Sequence, residues 1–436
     1  MQISIERIKR LYLLLALLYY LGFVNFINQL ISSNHQGDEF AQNVAGSGLK
    51  QVVGIVLLAM GLYLIARLPI KQIWQGIKHN ALWILLVAYF ALSVSWSPVP
   101  AISFRRVIAF VTLLVVAYCL VELFEPVSLL KLVARTIAVA AALGLLYFII
   151  SPENASIRQS DIRANAFLGI MADKNTGARL YAYALLIMWG LKLYQRKWDI
   201  AACLVLLVCI LLAQSATAVV MTTAGIGVIT LLRLLRSPRP QHNLNRILLF
   251  CLLLAGGSLL ISYFYEDLLA LLGRDPTLTN RVIIWQLMDT YVAQHQWLGY
   301  GFGAFWASDA VDGFVDSWGY IGNAHSGYYE ALLNGGMVCL IIVCLLFIKT
   351  LADLVKRYIS RPDGHFYAVL IPIILLQVVV NYVAFIIINH NCYDMFIFAL
   401  VSFMGCYPAA QYQLQPRPHV GHFNRALQLT CGQPHE

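Results

Sequence analysis

Residues 11–31 read LYLLLALLYYLGFVNFINQLI, and this stretch decides the fold. It matches the roughly 20 apolar residues that a helix needs to cross a bilayer core. It is too long for the apolar part of a signal peptide, and no small-residue cleavage site follows it, so it reads as a retained first span. Similar runs recur at 49–66, 81–96, 107–124, 132–150, 176–193, 199–213, 216–235, 247–263, 331–348, 366–388 and 393–410. The expectation is an all-α, polytopic membrane protein with about twelve transmembrane helices. One membrane domain spans 1–410, and a polar tail rich in Pro and His fills 411–436. The seventh and eighth runs are separated only by a break containing Gln214, Ser215 and Thr217. If that break were not a turn, every later loop would change sides.

Composition agrees. Of 436 residues, 60% are apolar and 12% charged, with a mean hydropathy of +0.73. Soluble domains carry about 25% charged residues. The nine cysteines fall mostly inside the runs and form no Cys-x-x-Cys pair, which suggests neither a zinc site nor a disulfide framework. The net charge of +9 reads as a face turned to anionic lipid in the bilayer, not as a nucleic-acid patch.

The charges also orient the chain. Arg7, Lys9 and Arg10 precede the first span, and Arg67, Lys71 and Lys78 follow the second. Lys192, Arg196 and Lys197 follow the sixth, Arg233, Arg236, Arg239 and Arg246 the eighth, and Lys349, Lys356, Arg357 and Arg361 the tenth. All lie on one side of this threading, so that side is expected to be cytoplasmic, with both termini. The segment 32–48 on the other side has no Lys or Arg. The longest connection, 264–330, also falls on that outer side. It is rich in aromatics and glycine, so it reads as folded and functional. Ile283, Ile284, Leu287, Met288 and Tyr291 predict a helix over 282–292, capped by Thr279 or Asn280 and lying flat on the outer leaflet.

The informative residues are cations on the wrong side. Arg105 and Arg106 open the fourth span, and Arg158, Arg163, Lys174 and Arg179 surround the start of the sixth. Arg274 and Arg281 lie in the long loop. Even-numbered helices start at the outer face, and a helix N-terminus carries partial positive charge, which disfavours a cation unless an anion sits there too. An N-terminus with Arg beside it suits phosphate. Asn175 and Arg179 are four apart and share a helix face, so Lys174, Asn175 and Arg179 are expected to line one polar mouth. In Asn323-Ala324-His325-Ser326-Gly327-Tyr328, Asn323 is a plausible N-cap, with His325 in the first turn as a neutral imidazole and Glu330 able to orient it. Gly299-Tyr300-Gly301-Phe302-Gly303-Ala304-Phe305-Trp306 has no strand before it and no P-loop Lys after it, so it reads as a tight turn with an aromatic surface. Asp309, Asp312 and Asp316 have no diagnostic ligand spacing, and no metal is expected.

These pieces, in this order, resemble the O-antigen ligase and O-antigen polymerase superfamily, and its exopolysaccharide polymerase branch most. The resemblance rests on Ser95-Trp96-Ser97-Pro98 with Phe104-Arg105-Arg106, on Gly169-Ile170-Met171-Ala172-Asp173-Lys174-Asn175, and on the glycine and histidine stretches above. Thr279-Asn280-Arg281 looks like the superfamily's Thr-x-Arg stretch. One departure is Asp173, where the branch usually has His. The resemblance implies a GT-C-like, metal-independent glycosyltransferase of the inner membrane that needs no cofactor. Its donor would be a glycan on undecaprenyl pyrophosphate, presented at the periplasmic face. The acceptor would be a second lipid-linked glycan for a polymerase, or lipid A core for a ligase, and a chain-length regulator is a candidate partner. In that frame His325 and Arg281 are the catalytic candidates. Lys174, Asn175, Arg179, Arg105 and Arg106 are candidates for pyrophosphate, and Tyr300, Phe302, Trp306 and Tyr328 for sugar. The reading of another class is a transporter, against which stand the lack of a visible repeat and the gathering of ionisable groups at one face.

Overall fold

The computed structural model describes residues 5–24, 26–27, 46–157, 165–237, 239–249, 252, 281–361, 363–390 and 392–406. The tail, Arg158, Arg163 and Arg274, most of the expected ninth span, and the candidate caps Thr279 and Asn280 lie outside the described residues. What is described is helical, with one isolated antiparallel bridge between Ser156 and Phe167. Helices suit lipid because they satisfy their own backbone polar groups.

Among the described residues, six helices are long and apolar enough to cross a membrane. They are α2 (Gly48–Ala66), α5 (Pro100–Leu123), α6 (Pro126–Ile150), α9 (Ala216–Leu234), α12 (Gly327–Ser360) and α13 (Gly364–Val383). A seventh crossing comes from α3 (Ile70–His79) and α4 (Ala81–Ser93), bent by 77° against each other with α4 running on to Trp96. The bend turns α3 away from the axis of α4. Ile70, Trp74 and Ile77 are exposed along one flank at helical spacing, and Lys78 sits 5.5 Å over the Trp74 ring. The shorter helices α1 (Ile5–Tyr20), α7 (Lys174–Gly190), α8 (Lys197–Leu212) and α14 (Tyr393–Cys406) pack into the same apolar core.

Contacts between helix ends fix the directions. Trp189 Nε1 donates to Thr230 Oγ1 at 3.2 Å, so α7 and α9 finish together. The Phe167 amide, just before α7, donates to Leu212 O at 3.0 Å, so α8 runs the opposite way. The turn between α8 and α9 falls where the sequence has its thin polar break, with Gln214 at φ 50°. Two helices result, and α9 ends beside the end of α12, where Arg236 donates to Tyr358 O and Arg361 O. One end of the bundle therefore collects Arg67, Lys71, Lys78, Lys192, Arg196, Lys197, Arg233, Arg236, Arg357 and Arg361. We call it the basic end. The starts of α5, α7 and α12 lie at the other, the site end.

The long connection forms a cap with a core of its own. Ile284, Trp285 and Met288 of α10 (Arg281–Gln294) are buried against Tyr300, Phe305, Trp306 and Phe314 of the following loop and of α11 (Asp312–Trp318). The helix expected over 282–292 is present; Ile284, Trp285 and Met288 face this core, while Val282 and Ile283 are exposed. The cap is locked to the bundle at a break in α12, where Gly335 and Gly336 leave helical geometry. The turn leading into Tyr300 fills the break. Tyr300 N donates to Leu333 O, and Met337 N to Gln296 O, both at 2.8 Å. Gly299 (φ +62°) lies so close that a Cβ there would be 2.6 Å from Gly335 N. The kink divides α12 into a short segment that packs with the cap and a longer one from Met337.

Candidate functional site

The site end is assembled from four segments: the start of α7, the strap 299–306, the start of α12, and the connection between α13 and α14. At the start of α12 the helix begins at Gly327 with Ser326 as N-cap, not at Asn323 as the sequence suggested. Asn323 instead closes an Asx turn, its Oδ1 accepting from the His325 amide at 2.9 Å. His325 therefore sits before the helix at φ 51°, outside the first turn. It is half-buried. Burial holds its imidazole below the usual histidine range, Arg281 pushes the same way, and Asp173 opposes both. Burial and a cation, not a helix dipole, are what favour the neutral form here.

Arg281 opens α10 and donates from Nη1 to Val383 O. Lys174 opens α7 and is 4% exposed, with Asn175 half-buried beside it. Asp173 is the N-cap, accepting from Thr176 N at 2.7 Å and Thr176 Oγ1 at 2.8 Å. The departure from the family pattern thus supplies a helix cap and a carboxylate that acts on His325.

Arg179 does not line the expected mouth. It is 5% exposed and grips Asp394, Nε at 3.0 Å from Oδ1 and Nη2 at 2.9 Å from Oδ2. Asp394 is 1% exposed and also accepts from Tyr183 Oη at 2.8 Å. A bidentate carboxylate already occupies the guanidinium that was expected to hold phosphate. Arg105 and Arg106 are in the second turn of α5. Arg106 is buried and donates to Gly303 O, which explains why position 303 is glycine: a Cβ would fall on the Arg106 side chain.

Of the aromatic candidates for sugar binding, Tyr300, Phe302 and Trp306 are buried and Tyr328 is half-buried. Phe302 stacks on Phe90 at 4.0 Å and meets Phe110 edge-on at 5.5 Å. Tyr300 donates to Tyr291 O at 3.1 Å, and Tyr328 to Val378 O at 2.8 Å. Trp306 Nε1 donates to Glu330 Oε1 at 2.8 Å. Glycines let the strap bury these rings, so the expected aromatic surface is a packed one. Glu330, 1% exposed, is the hub of this region, accepting also from Ala324 N at 2.7 Å and Asn334 Nδ2 at 3.1 Å. It holds the residue next to His325 in place. Asp309, Asp312 and Asp316 are exposed on the cap.

Two functional candidates were missed in the sequence, Asp394 and His390. Both lie in 383–394, which touches every part of the site. Val383 O meets Arg281, Ala384 O accepts from Gly327 N at 3.1 Å, His390 stands edge-on to Phe302 at 6.1 Å, and Asp394 holds Arg179. Burial, with Arg106, Lys50 and Arg105 around it, pushes His390 down to about 3. The signal for Asp394 was legible. It is an ionisable residue inside an apolar run, the property that singled out Arg179.

The fold and site define a polytopic helical membrane protein whose cap holds a neutral histidine among cations at one end of the bundle. Residues 201–344 match the family model described as O-Antigen ligase. Over 356 residues the chain is 25% identical to the exopolysaccharide production protein ExoQ of Rhizobium meliloti (strain 1021), covering 72% of this chain and 79% of that one. Both support the O-antigen ligase superfamily and its exopolysaccharide branch, and with it an enzyme of the ligase or polymerase type in polysaccharide synthesis. The matched segment includes Arg281 and His325 but neither Lys174 nor Asp394.

Proposed function

We propose that this protein polymerises exopolysaccharide or O-antigen units by moving a glycan from undecaprenyl pyrophosphate to a hydroxyl of a second lipid-linked glycan. The basic end faces the cytoplasm, by the positive-inside rule, and the site end faces the periplasm. The observation that carries the reading is the meeting of Arg281 with the start of α12, just past His325, on one stretch of backbone: Val383 O accepts from Arg281 and Ala384 O from Gly327 N.

The chemistry follows from charge. The acceptor oxygen attacks the anomeric carbon while the bond from that carbon to the pyrophosphate oxygen breaks. Negative charge grows on the departing pyrophosphate, where Arg281 and Lys174 stabilise it without a metal. The proton leaves the acceptor hydroxyl for the imidazole nitrogen of His325, which is unprotonated at neutral pH. Arg105 and Arg106 stand at a second helix start of the same end, placed to attract the anionic substrate. The similarity to an exopolysaccharide production protein favours a polymerase over a ligase to lipid A core. The gathering of ionisable groups at one end favours a transferase over a carrier with a midplane site.

The test is polymer length in a null strain complemented with variants. His325→Ala and Arg281→Ala are each expected to abolish long polymer at normal protein abundance. Full-length polymer from both would sink the reading.

A further inference from the structure

The buried pair of Arg179 and Asp394 needs a reason. Taking two charges out of water costs several kcal/mol per ion, and well-packed apolar residues often serve stability as well or better. Here the pair is bidentate and elaborated on both sides. On the α14 side the Asp394 carboxylate also accepts from Tyr183 Oη at 2.8 Å and from Cys392 Sγ at 3.1 Å. Its carbonyl accepts from Gln377 Nε2 at 2.8 Å, which ties α13 to the same point. On the α7 side Arg179 Nη2 reaches back to Thr176 Oγ1 at 3.1 Å, and that hydroxyl donates to Asp173 Oδ2 at 2.8 Å. An unbroken chain of polar contacts runs from the interior of α14 to the N-cap of α7.

We propose that Asp394 is a positioning residue: through Arg179 and Thr176 it fixes the Asp173 carboxylate toward His325 and sets the start of α7 that presents Lys174. The proposal rests on the polymerase reading above. It removes Arg179 from phosphate binding and gives it a second task, orienting the Asp173 carboxylate. The groups whose charge acts on His325 are then Arg281 from α10, which disfavours protonation, and Asp173 from the N-cap of α7, which favours it. Loosening Asp173 leaves Arg281 to dominate, so the imidazole becomes harder to protonate.

The outer face equilibrates with the medium, so the experiment is polymer synthesis by the full-length protein in the complemented null strain, from about pH 5 to about pH 8, with abundance by immunoblot. Thr176→Val keeps the ion pair and the backbone cap but cuts the relay. It is expected to leave abundance unchanged, lower the rate about tenfold and move the acid limb of the profile to lower pH. Asp394→Asn should do the same more strongly, with loss of abundance, and Asp394→Glu should restore part of the rate per molecule. A wild-type rate and acid limb in Thr176→Val, with Asp394→Asn failing only in abundance, overturns the positioning role. His325→Ala run in parallel separates the two readings. If it is inactive while Thr176→Val is normal, only the positioning proposal falls; if it is fully active, both fall.

Discussion

The two ends of the bundle use the same residue types in opposite places. At the basic end, several cations sit at helix C-termini, while Arg196 and Lys197 stand at the start of α8. Arg236 donates to Tyr358 O and Arg361 O where α12 finishes, and Arg246 donates to Leu235 O where α9 finishes. Those carbonyls carry the negative end of the helix dipole, so each such placement contributes about 0.3–1 kcal/mol. At the site end, Lys174 and Arg281 open helices and Arg105 and Arg106 follow a helix start closely. There the dipole works against them. Cations placed against the dipole suit an arriving anion, and the difference separates residues kept for folding from residues kept for a substrate.

The largest expected contrast tests that separation directly. Arg281→Ala should lower polymer synthesis by roughly 10²–10³-fold, the usual loss when a charge-stabilising donor is removed from a reacting centre. Arg236→Ala at the basic end should leave the rate per molecule within about twofold while thermal stability falls by roughly 1–3 kcal/mol, from the carbonyls it leaves unpaired. Equal losses of rate per molecule in the two variants would break the comparison. Next in size is Lys174→Met, expected to cost about tenfold or more in rate, with Lys174→Arg recovering part because it keeps the charge but not the shape. Gly303→Ala should act on the cap. Its left-handed backbone alone costs an alanine about 1–2 kcal/mol, and the new methyl falls on Arg106, so folded protein in membranes should drop.

Acidity offers a finer test. His325 titrates below its unfolded value of about 6.5, so protonation destabilises the folded form as pH falls through that window. The neutral base is lost in the same direction, and the rate should fall only once pH reaches the lowered folded value. Asp173→Asn keeps the helix cap but removes the opposing charge, so its acid limb should move to lower pH. A shift to higher pH would show that Asp173 does not act on His325. The smallest effect on rate per molecule is expected from Arg135→Ala, which breaks a bidentate pair with the buried Asp199 at 3.0 Å near the basic end and should show instead as about 1–3 kcal/mol of lost stability.

How much of this was legible depended on the kind of signal. The apolar runs gave the helical class and the alternation through Gln214 because lipid leaves a chain few choices. The charge asymmetry gave the two ends, and spacing gave the helix after Arg281. The start of α12 was missed by several residues because Asn323 makes the bond of a turn as readily as that of a cap. The aromatic stretch was misread because its surface depends on Gly299 and Gly303 folding the strap inward, a tertiary fact. Arg179 was placed on the correct helix but given the wrong partner, since Asp394 is far away in sequence. Of the candidates brought together, His325, Arg281 and the start of α7 are linked by geometry and charge. Tyr300, Phe302, Trp306 and Tyr328 are packing residues.

The pair of Arg179 and Asp394 has a consequence in time. The two are separated by 215 positions, and Asp394 belongs to the last described helix. At about 5–20 residues per second, a ribosome needs roughly 10 to 40 s to travel from one to the other. Through that interval α7 stands in the membrane without the carboxylate that neutralises it and anchors its N-cap. The family-matched segment is by then already made, with His325 and Arg281 in place. On the positioning role proposed above, a nascent chain carries His325 and Arg281 before it carries their alignment, and the last described helix is the fastener.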